Sequence, residues 1–106
     1  MFDTLEVALV VLEKLDALVA KVRRRSRPLA DEMDRAGNSM ALNSSEGRMR
    51  AGLDRADFMR RAAGSAGELT TALRIAKARG FITAADFADV DAPLDRVRAM
   101  LWRQTH

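Results

Sequence analysis

Arginine is the most frequent of the side chains in this sequence that could do chemistry. Fifteen of the 18 basic residues are Arg, and the 106-residue chain carries a net charge of +3. A guanidinium group can hold phosphate or carboxylate through two parallel hydrogen bonds. Codon bias in a GC-rich genome also explains an excess of Arg, because Ala, Gly and Asp are frequent too. Anion binding and an ordinary solvated basic surface are therefore competing interpretations.

Catalytic and metal-binding side chains are scarce. The chain has no cysteine and no tyrosine, and its one histidine is the last residue, His106. These absences exclude disulfide scaffolds, zinc fingers, iron–sulfur sites and thiol nucleophiles, and they disfavour histidine-based acid–base catalysis. Glu46 and Glu68 are the only candidate inward carboxylates, which is too few for a di-metal bundle. We predict no enzymatic activity, no cofactor and no metal.

Seven basic residues are predicted to share one end of the molecule, which we call the basic pole. They lie near the first predicted loop and near the end of the third predicted helix: Arg23, Arg24, Arg25, Arg27, Arg74, Lys77 and Arg79. Five acidic residues offset part of this charge: Asp31, Glu32, Asp34, Asp86 and Asp89. No aromatic residue is interleaved with the seven, so we expect electrostatic, weakly specific binding to nucleic-acid phosphates without base stacking. Complementation of helix dipoles on a solvated surface is the alternative.

A second group of arginines is predicted at the other end of the molecule, which holds the second predicted loop and which we call the opposite pole. These arginines are the next candidates for a nucleic-acid site: Arg48, Arg50, Arg60 and Arg61. Glu46 is predicted beside them, near helix N-termini whose dipoles favour a carboxylate, and Arg48, Arg50 and Arg55 are its candidate partners. We interpret Glu46 as a structural salt bridge or cap, because no second acid, histidine or nucleophile accompanies it.

Every segment between turn signals shows helical periodicity, which predicts four helices. The first, about 3–24, has an apolar arc of roughly 200°, about twice the width that one core requires. Its seam has 3-4-3-4-3 spacing and consists of Leu5, Ala8, Leu12, Leu15, Val19 and Val22. Val7, Val11 and Leu18 widen the arc. We expect these three side chains to be exposed in a monomer and therefore to drive self-association.

Turn and capping signals set the limits of the later helices. Asp54 is the predicted N-cap of the third helix, which is predicted to end at Arg79 with Gly80 just beyond it. Residues 83–86 resemble a capping box and open the fourth helix. Pro93 lies inside the fourth helical pattern, so this helix is predicted either to kink or to restart near the proline.

Two packing features are predicted for the second helix, about 29–47. Its apolar spacing places Asn43 on a core position, where the side-chain amide needs partners across the bundle. Gly37 is expected to meet Gly64 or Gly67 of the third helix, because the run of six small residues around those glycines allows two backbones to approach closely.

Four helices joined by short loops predict an all-α fold, an up-down-up-down antiparallel four-helix bundle, as one domain over residues 1–106. The longest apolar run, residues 7–12, is far shorter than the roughly 20 residues of a membrane span. Asp3 and Glu6 precede it, and their charge is the wrong sign for a signal peptide. We predict a cytoplasmic protein that is complete at its N-terminus and has no membrane partner.

The middle of the chain resembles a known family. Residues 39–47, SMALNSSEG, resemble the S-I-P-S-N-I-A-E-G signature of the 23S rRNA-intervening-sequence proteins, with Ala41 in place of the proline. Residues 57–82 follow the family's E-F-x-R…G-S-x-x-E-L-x-T-x-L-x-I-A…G-Y-I pattern, and the start at Phe2 resembles its F-x-x-L-x-V. The motif positions for which we expect a structural role are Asn43, Glu46, Gly47, Phe58, Gly64, Ser65 and Glu68.

The resemblance implies a four-helix bundle that assembles into a homopentameric ring, and it does not imply an enzyme. The family also includes the accessory variability proteins of diversity-generating retroelements, for which the implied role is binding to nucleic acid and to a reverse transcriptase. Two functional hypotheses follow. One is a non-enzymatic, oligomeric accessory protein that binds RNA or DNA phosphates, with a reverse transcriptase as a candidate partner. The other is a structural or protein–protein interaction module without a nucleic-acid role.

Overall fold

A computed structural model describes residues 3–106 and contains four helices joined by short loops. They are α1 (Thr4–Arg23), α2 (Arg27–Arg48), α3 (Gly52–Ala78) and α4 (Ala84–Thr105). Each helix packs against two others, with α1 on α2 and α4 and with α3 on α2 and α4, in a bundle of 42 × 25 × 20 Å. The predicted all-α, antiparallel four-helix bundle is confirmed. No helix in this described part of the chain is long and apolar enough to cross a membrane.

Local capping chemistry explains where α4 begins and α3 ends. The Thr83 hydroxyl accepts from the backbone N–H of Asp86 at 3.0 Å, and the Asp86 carboxylate accepts from the backbone N–H of Thr83 at 3.0 Å. Gly80 has a φ of +75° and donates to Lys77 O, while the next N–H, that of Phe81, donates to Ala76 O at 2.9 Å. This pair of bonds is a Schellman motif, which folds the chain back onto the end of α3. Both sequence predictions are confirmed.

The prediction of Asp54 as the N-cap of α3 is wrong. The helix begins at Gly52, whose φ of +63° lets the chain turn sharply, and the N-cap position is occupied by Ala51 without a side-chain bond. Asp54 lies in the first turn, where its carboxylate accepts from Arg50. A carboxylate in a first helical turn still complements the helix dipole, so the same residue stabilises the helix from a different position.

The expectation that Val7, Val11 and Leu18 are exposed is also wrong. All three side chains are buried inside the single chain, at 5% exposure or less. The physical reason is that α1 packs against both α2 and α4, so its wide apolar arc faces two partners rather than one. The larger apolar side chains that α1 leaves exposed are Leu9 and Val10. The arc therefore supplies no argument for self-association.

Asn43 does not occupy a core position. It is half-buried, and its amide donates to the carbonyl oxygen and the hydroxyl of Ser39 on its own helix, at 2.9 and 3.1 Å. The fully buried position belongs to Ser44, whose hydroxyl donates to Met40 O. Four of the six predicted seam positions of α2 are buried, and the core face is shifted to one side of that seam, so that Ser44 is buried in place of Asn43. A polar link from α2 to α3 is made instead by the 2.8 Å hydrogen bond between the hydroxyls of Ser39 and Ser65.

The predicted contact of Gly37 with Gly64 or Gly67 is absent. Both α3 glycines face solvent, with open space where a Cβ would lie. Gly37 instead faces α1, where an added Cβ would lie 2.9 Å from Leu12 Cδ2 and 3.2 Å from Leu15 Cδ2. The glycines of the small-residue run lie on the outer face because the alanines and the serine between them take the inner one.

Helix α4 continues through Pro93, so it does not restart there. The proline has no N–H to donate to the preceding turn, which normally weakens a helix interior. Its ring is buried against the core, together with Val90, Leu94 and Val97. Burial of apolar surface therefore offsets the missing hydrogen bond.

The glycine environments give a stability prediction. Gly64→Ala and Gly67→Ala should each raise the free energy of unfolding by about 0.5–1 kcal/mol, because alanine favours the helix and these sites have room for it. Gly37→Ala is the matched comparison and should gain less, since its Cβ presses on Leu12. Urea unfolding followed by circular dichroism measures all three. Destabilisation by Gly64→Ala or Gly67→Ala would restore the close-packing interpretation.

Candidate functional site

The fold brings the α1–α2 loop and the α3–α4 loop together at the basic pole. Arg25, in the first loop, has its guanidinium carbon 5.1 Å from the ring centroid of Phe81 in the second. Near them, Lys21 of α1 donates to the Asp86 carboxylate of α4 at 3.0 Å. Residues separated by more than 50 positions in sequence therefore form one continuous end of the bundle.

Arg23 differs from the other cations of the basic pole because it is already bound to carboxylates. Its guanidinium donates to Asp31 at 2.7 Å and to Asp34 at 3.1 Å. These partners, Asp31 first, raise the pKa of the guanidinium. The N–H donors used in these bonds cannot bind a phosphate, so Arg23 serves the α1–α2 connection rather than an external ligand.

Six cations of the basic pole have no carboxylate within 4 Å among residues 3–106. They are Arg24, Arg25, Arg27, Arg74, Lys77 and Arg79. In the same part of the chain, ion pairs engage 12 of the 15 Asp and Glu side chains but only eight of the 18 basic ones. Six of the ten remaining cations thus lie at this one pole. The protein's excess of positive charge is concentrated there.

Aromatic rings do lie among these cations, contrary to the sequence-based expectation. Arg25 and Arg79 have their guanidinium carbons 5.1 and 5.2 Å from the centroid of Phe81, and the ammonium of Lys77 lies 4.7 Å from that of Phe87. The Schellman motif at Gly80 turns Phe81 back between the two loops, a placement that spacing along the chain does not show. A glycine at C′ followed by an aromatic residue was the signal in the sequence, because a residue at C″ commonly packs back on its helix.

The arginines of the opposite pole are mostly neutralised within the chain. Their partners are carboxylates: Arg48 binds Asp3 at 2.6 Å, Arg50 binds Asp54 at 2.8 Å and Glu46 at 3.3 Å, and Arg61 binds Asp57 at 2.9 Å. Arg60 has no such partner among residues 3–106. Glu46 thus forms a salt bridge with Arg50, as expected for a structural role. The backbone N–H of Glu6, and then Arg48, lower the pKa of Asp3.

The family-motif residues hold helices together rather than forming one site. Ser65 bonds Ser39, and Glu68 bonds Arg35, so both link α3 to α2. Gly47 leaves room for Met59, because an added Cβ would lie 2.9 Å from the sulfur and the methyl carbon of that side chain. Phe58 is half-buried between Arg50 and Arg61. Gly64 has no neighbour at its Cβ position.

A shallow groove of about 560 Å³ lies between α2 and α3, with a largely apolar floor. It is lined by Leu29, Glu32, Gly67, Glu68, Thr71, Ala72 and Ile75. Both glutamates on its rim are bound to Arg35, which lowers the pKa of Glu32. No group of three or more His, Asp or Glu side chains in residues 3–106 is arranged to hold a metal ion.

The sequence model of one protein family, described as 23S rRNA-intervening sequence protein, matches residues 6–103 of this four-helix bundle. The match covers nearly the whole chain, and the chain belongs to that family. No curated protein and no solved structure matches it. Phe2, which the F-x-x-L-x-V resemblance includes, lies outside the residues that the structure describes.

The capping box at the basic pole predicts a pH dependence of stability. The backbone N–H of Thr83, and then Lys21, lower the pKa of Asp86 below its ordinary value of 3.8. A carboxylate with a lowered folded-state pKa stabilises the fold above its unfolded pKa, and this contribution disappears as the pH falls through the folded value. The free energy of unfolding of the wild type should therefore fall between about pH 5 and pH 2, and less steeply in Asp86→Asn.

Urea unfolding at several pH values in this range measures both curves. Lys21→Gln is the comparison variant and should give an intermediate slope, because it keeps the backbone bond from Thr83 and removes only the ammonium group. Equal slopes for wild type and Asp86→Asn would show that the capping box does not set the acid response.

Proposed function

We propose that this chain is a cytoplasmic, non-catalytic accessory protein that binds the phosphates of RNA or DNA through its basic pole. The observation that carries the proposal is the concentration of six cations without carboxylate partners, in residues 3–106, at the end where two loops meet. The membership of a family whose description names ribosomal RNA sequence is consistent with a nucleic-acid ligand.

The mechanism in this proposal is electrostatic. Each phosphate that a Lys or Arg neutralises releases condensed counterions, so the affinity falls steeply as the salt concentration rises. Phosphate contacts fix the position of the ligand but carry no base sequence, and the rings at the pole already hold cations. We therefore expect little preference between base sequences.

The proposal includes self-association, with five copies in a ring as the family resemblance implies, and a reverse transcriptase as a candidate protein partner. Each copy adds a net charge of +3 and one basic pole. Several weak sites on one assembly bind a long polyanion with a higher avidity than any one site. Assembly would convert a modest phosphate contact into useful binding.

A protein–protein interaction module is the second candidate function. Four large apolar side chains toward the opposite pole favour it, because they are exposed without forming part of the core: Leu42, Met49, Leu53 and Trp102. Leu53 is 87% exposed and Trp102 is 61% exposed. Exposed apolar side chains of this size mark interaction surfaces when they are contiguous.

Charge removal at the basic pole tests the proposed function. Arg24→Gln, Arg27→Gln and Arg74→Gln combined should weaken binding to structured RNA and duplex DNA about tenfold or more at 50 mM salt. The slope of log affinity against log salt should become shallower by about 1 for each phosphate that the variant no longer neutralises. Fluorescence anisotropy at about 50 and 200 mM salt measures both quantities.

A matched variant carries Arg55→Gln, Arg60→Gln and Arg103→Gln, which remove the same charge far from the basic pole, from side chains that also lack carboxylate partners in residues 3–106. It should bind nearly as the wild type does. No binding by the wild type at low salt would remove the nucleic-acid proposal and favour the interaction module. Equally weakened binding in both variants would show a response to net charge alone.

Sedimentation velocity tests self-association. We expect a species several times heavier than the 11.7 kDa chain at micromolar concentration. Leu9→Asp with Val10→Asp should shift the distribution toward the monomer if the exposed apolar side chains of α1 contribute to the contact, since a buried unpaired charge is strongly unfavourable. A single 11.7 kDa boundary for the wild type would rule out the oligomer.

A further inference from the structure

The structure contains the same side-chain arrangement twice, once toward each pole. Phe58 has Arg50 and Arg61 beside it, with guanidinium carbons 5.0 and 4.9 Å from its ring centroid. Phe81 has Arg25 and Arg79 beside it, at 5.1 and 5.2 Å. In both cases the ring attracts two cations electrostatically through its π face.

The two arrangements differ in what their guanidinium groups bind. At Phe58 the hydrogen-bond donors are used within the chain: Arg50 donates to Asp54 at 2.8 Å, and Arg61 donates to Asp57 at 2.9 Å. At Phe81 neither Arg25 nor Arg79 has a carboxylate within 4 Å among residues 3–106. The positive charges of the Phe58 cluster (Phe58, Arg50 and Arg61) are therefore neutralised within the chain. In the Phe81 cluster (Phe81, Arg25 and Arg79) the two guanidinium groups donate to no carboxylate in residues 3–106.

We propose that Phe81 is a positioning residue for a phosphate-binding site formed by Arg25 and Arg79, and that the phosphates belong to a nucleic-acid backbone. This inference rests on the proposed function and identifies the part of the basic pole that binds the phosphates. A phosphate takes at the Phe81 cluster the place that Asp54 and Asp57 take at the Phe58 cluster.

The chemistry of the guanidinium group supports this assignment. A guanidinium group that stacks on a ring uses its flat face, and its five N–H donors then remain along its edges, in the plane that suits bidentate bonds to a phosphate. Because the ring already restricts the arginine side chains, less conformational freedom disappears when the ligand binds. Lys77, whose ammonium lies 4.7 Å from the centroid of Phe87, is a third cation of the basic pole that is held by a ring.

The spacing of the two arginines is compatible with contacts to neighbouring phosphates of one strand. Since each guanidinium carbon lies about 5 Å from the same ring centroid, the two are no more than about 10 Å apart. Successive phosphates advance about 3.4 Å along the axis of a DNA strand, so neighbouring phosphates of one backbone fall within this reach. Two like charges so close also repel across about one Debye length at 0.1 M salt, and a bound polyanion relieves that repulsion.

Removal of the ring with retention of both charges tests the inference. Phe81→Leu should weaken binding of a single-stranded oligonucleotide roughly tenfold at low salt, because the arginines are still present but no longer held. Phe81→Tyr keeps an aromatic face and should restore most of the affinity. Phe58→Leu is the matched control and should bind as the wild type does, since its arginines are held by carboxylates.

Thermal unfolding by circular dichroism establishes that each variant is folded. If Phe81→Leu does not fold, the pair Arg25→Gln/Arg79→Gln is compared with Arg50→Gln/Arg61→Gln, and only the first pair should weaken binding. A folded Phe81→Leu with wild-type affinity, or equally weakened binding in Phe81→Leu and Phe58→Leu, would overturn the inference while leaving the proposed function intact. A wild type that does not bind at all defeats both.

Competition identifies the source of the anion. Inorganic phosphate should displace the labelled oligonucleotide much more weakly than an unlabelled oligonucleotide at the same phosphate concentration. Equal displacement by inorganic phosphate would assign the site to a free anion, and equal displacement by polyglutamate would assign it to an acidic protein. Either result would overturn the assignment to a nucleic-acid backbone.

Discussion

The two-sided burial of α1 is the constraint on which the rest of the bundle depends. Its apolar arc packs against α2 on one side and α4 on the other, so the first and last helices are joined through one core. Each fully buried Val or Leu side chain contributes about 1.5–3 kcal/mol relative to exposure. Because successive helices run in opposite directions, the α1–α2 loop and the α3–α4 loop lie at the same end, and the packing of α4 on α1 makes them neighbours there. This packing forms the basic pole.

Positive charge is distributed unevenly over the protein, because the Asp and Glu side chains neutralise basic side chains mainly along the helices. Five of the ion pairs in residues 3–106 join side chains three or four positions apart, and three of these five lie within one helix, as with Arg61 and Asp57. Such exposed pairs add little stability individually. Their larger effect here is to neutralise arginines along the helices and toward the opposite pole, so the positive charge without carboxylate partners is concentrated at the basic pole.

The two aromatic clusters show how similar side chains can serve different purposes. Toward the end of α3 that holds Phe58, the ring and the carboxylates together restrain Arg61 on the helix and Arg50 in the loop before it. At the other end of α3, Phe81 restrains arginines from two loops with no carboxylate beside them in residues 3–106. Such a cluster stabilises the connection between loops and also provides N–H donors that an anion can use.

The sequence by itself determined the number of helices, most of their ends and the all-α bundle. These features depend on interactions within a few residues: the capping box at Thr83, the C′ glycine at Gly80 and the apolar periodicity of each segment. The family resemblance rested on local motifs too, and the match over residues 6–103 bears it out.

Only the tertiary structure decided which face of each helix meets which neighbour. A shift of the core face of α2 to one side of the predicted seam buries Ser44 in place of Asn43, and a second packing partner buries Val11. Periodicity cannot resolve either, because it measures the width and approximate direction of an apolar face but not how many neighbours cover it. The contact of Arg25 with Phe81 could not be predicted from local sequence either. The two loops become neighbours only when the helices between them pack.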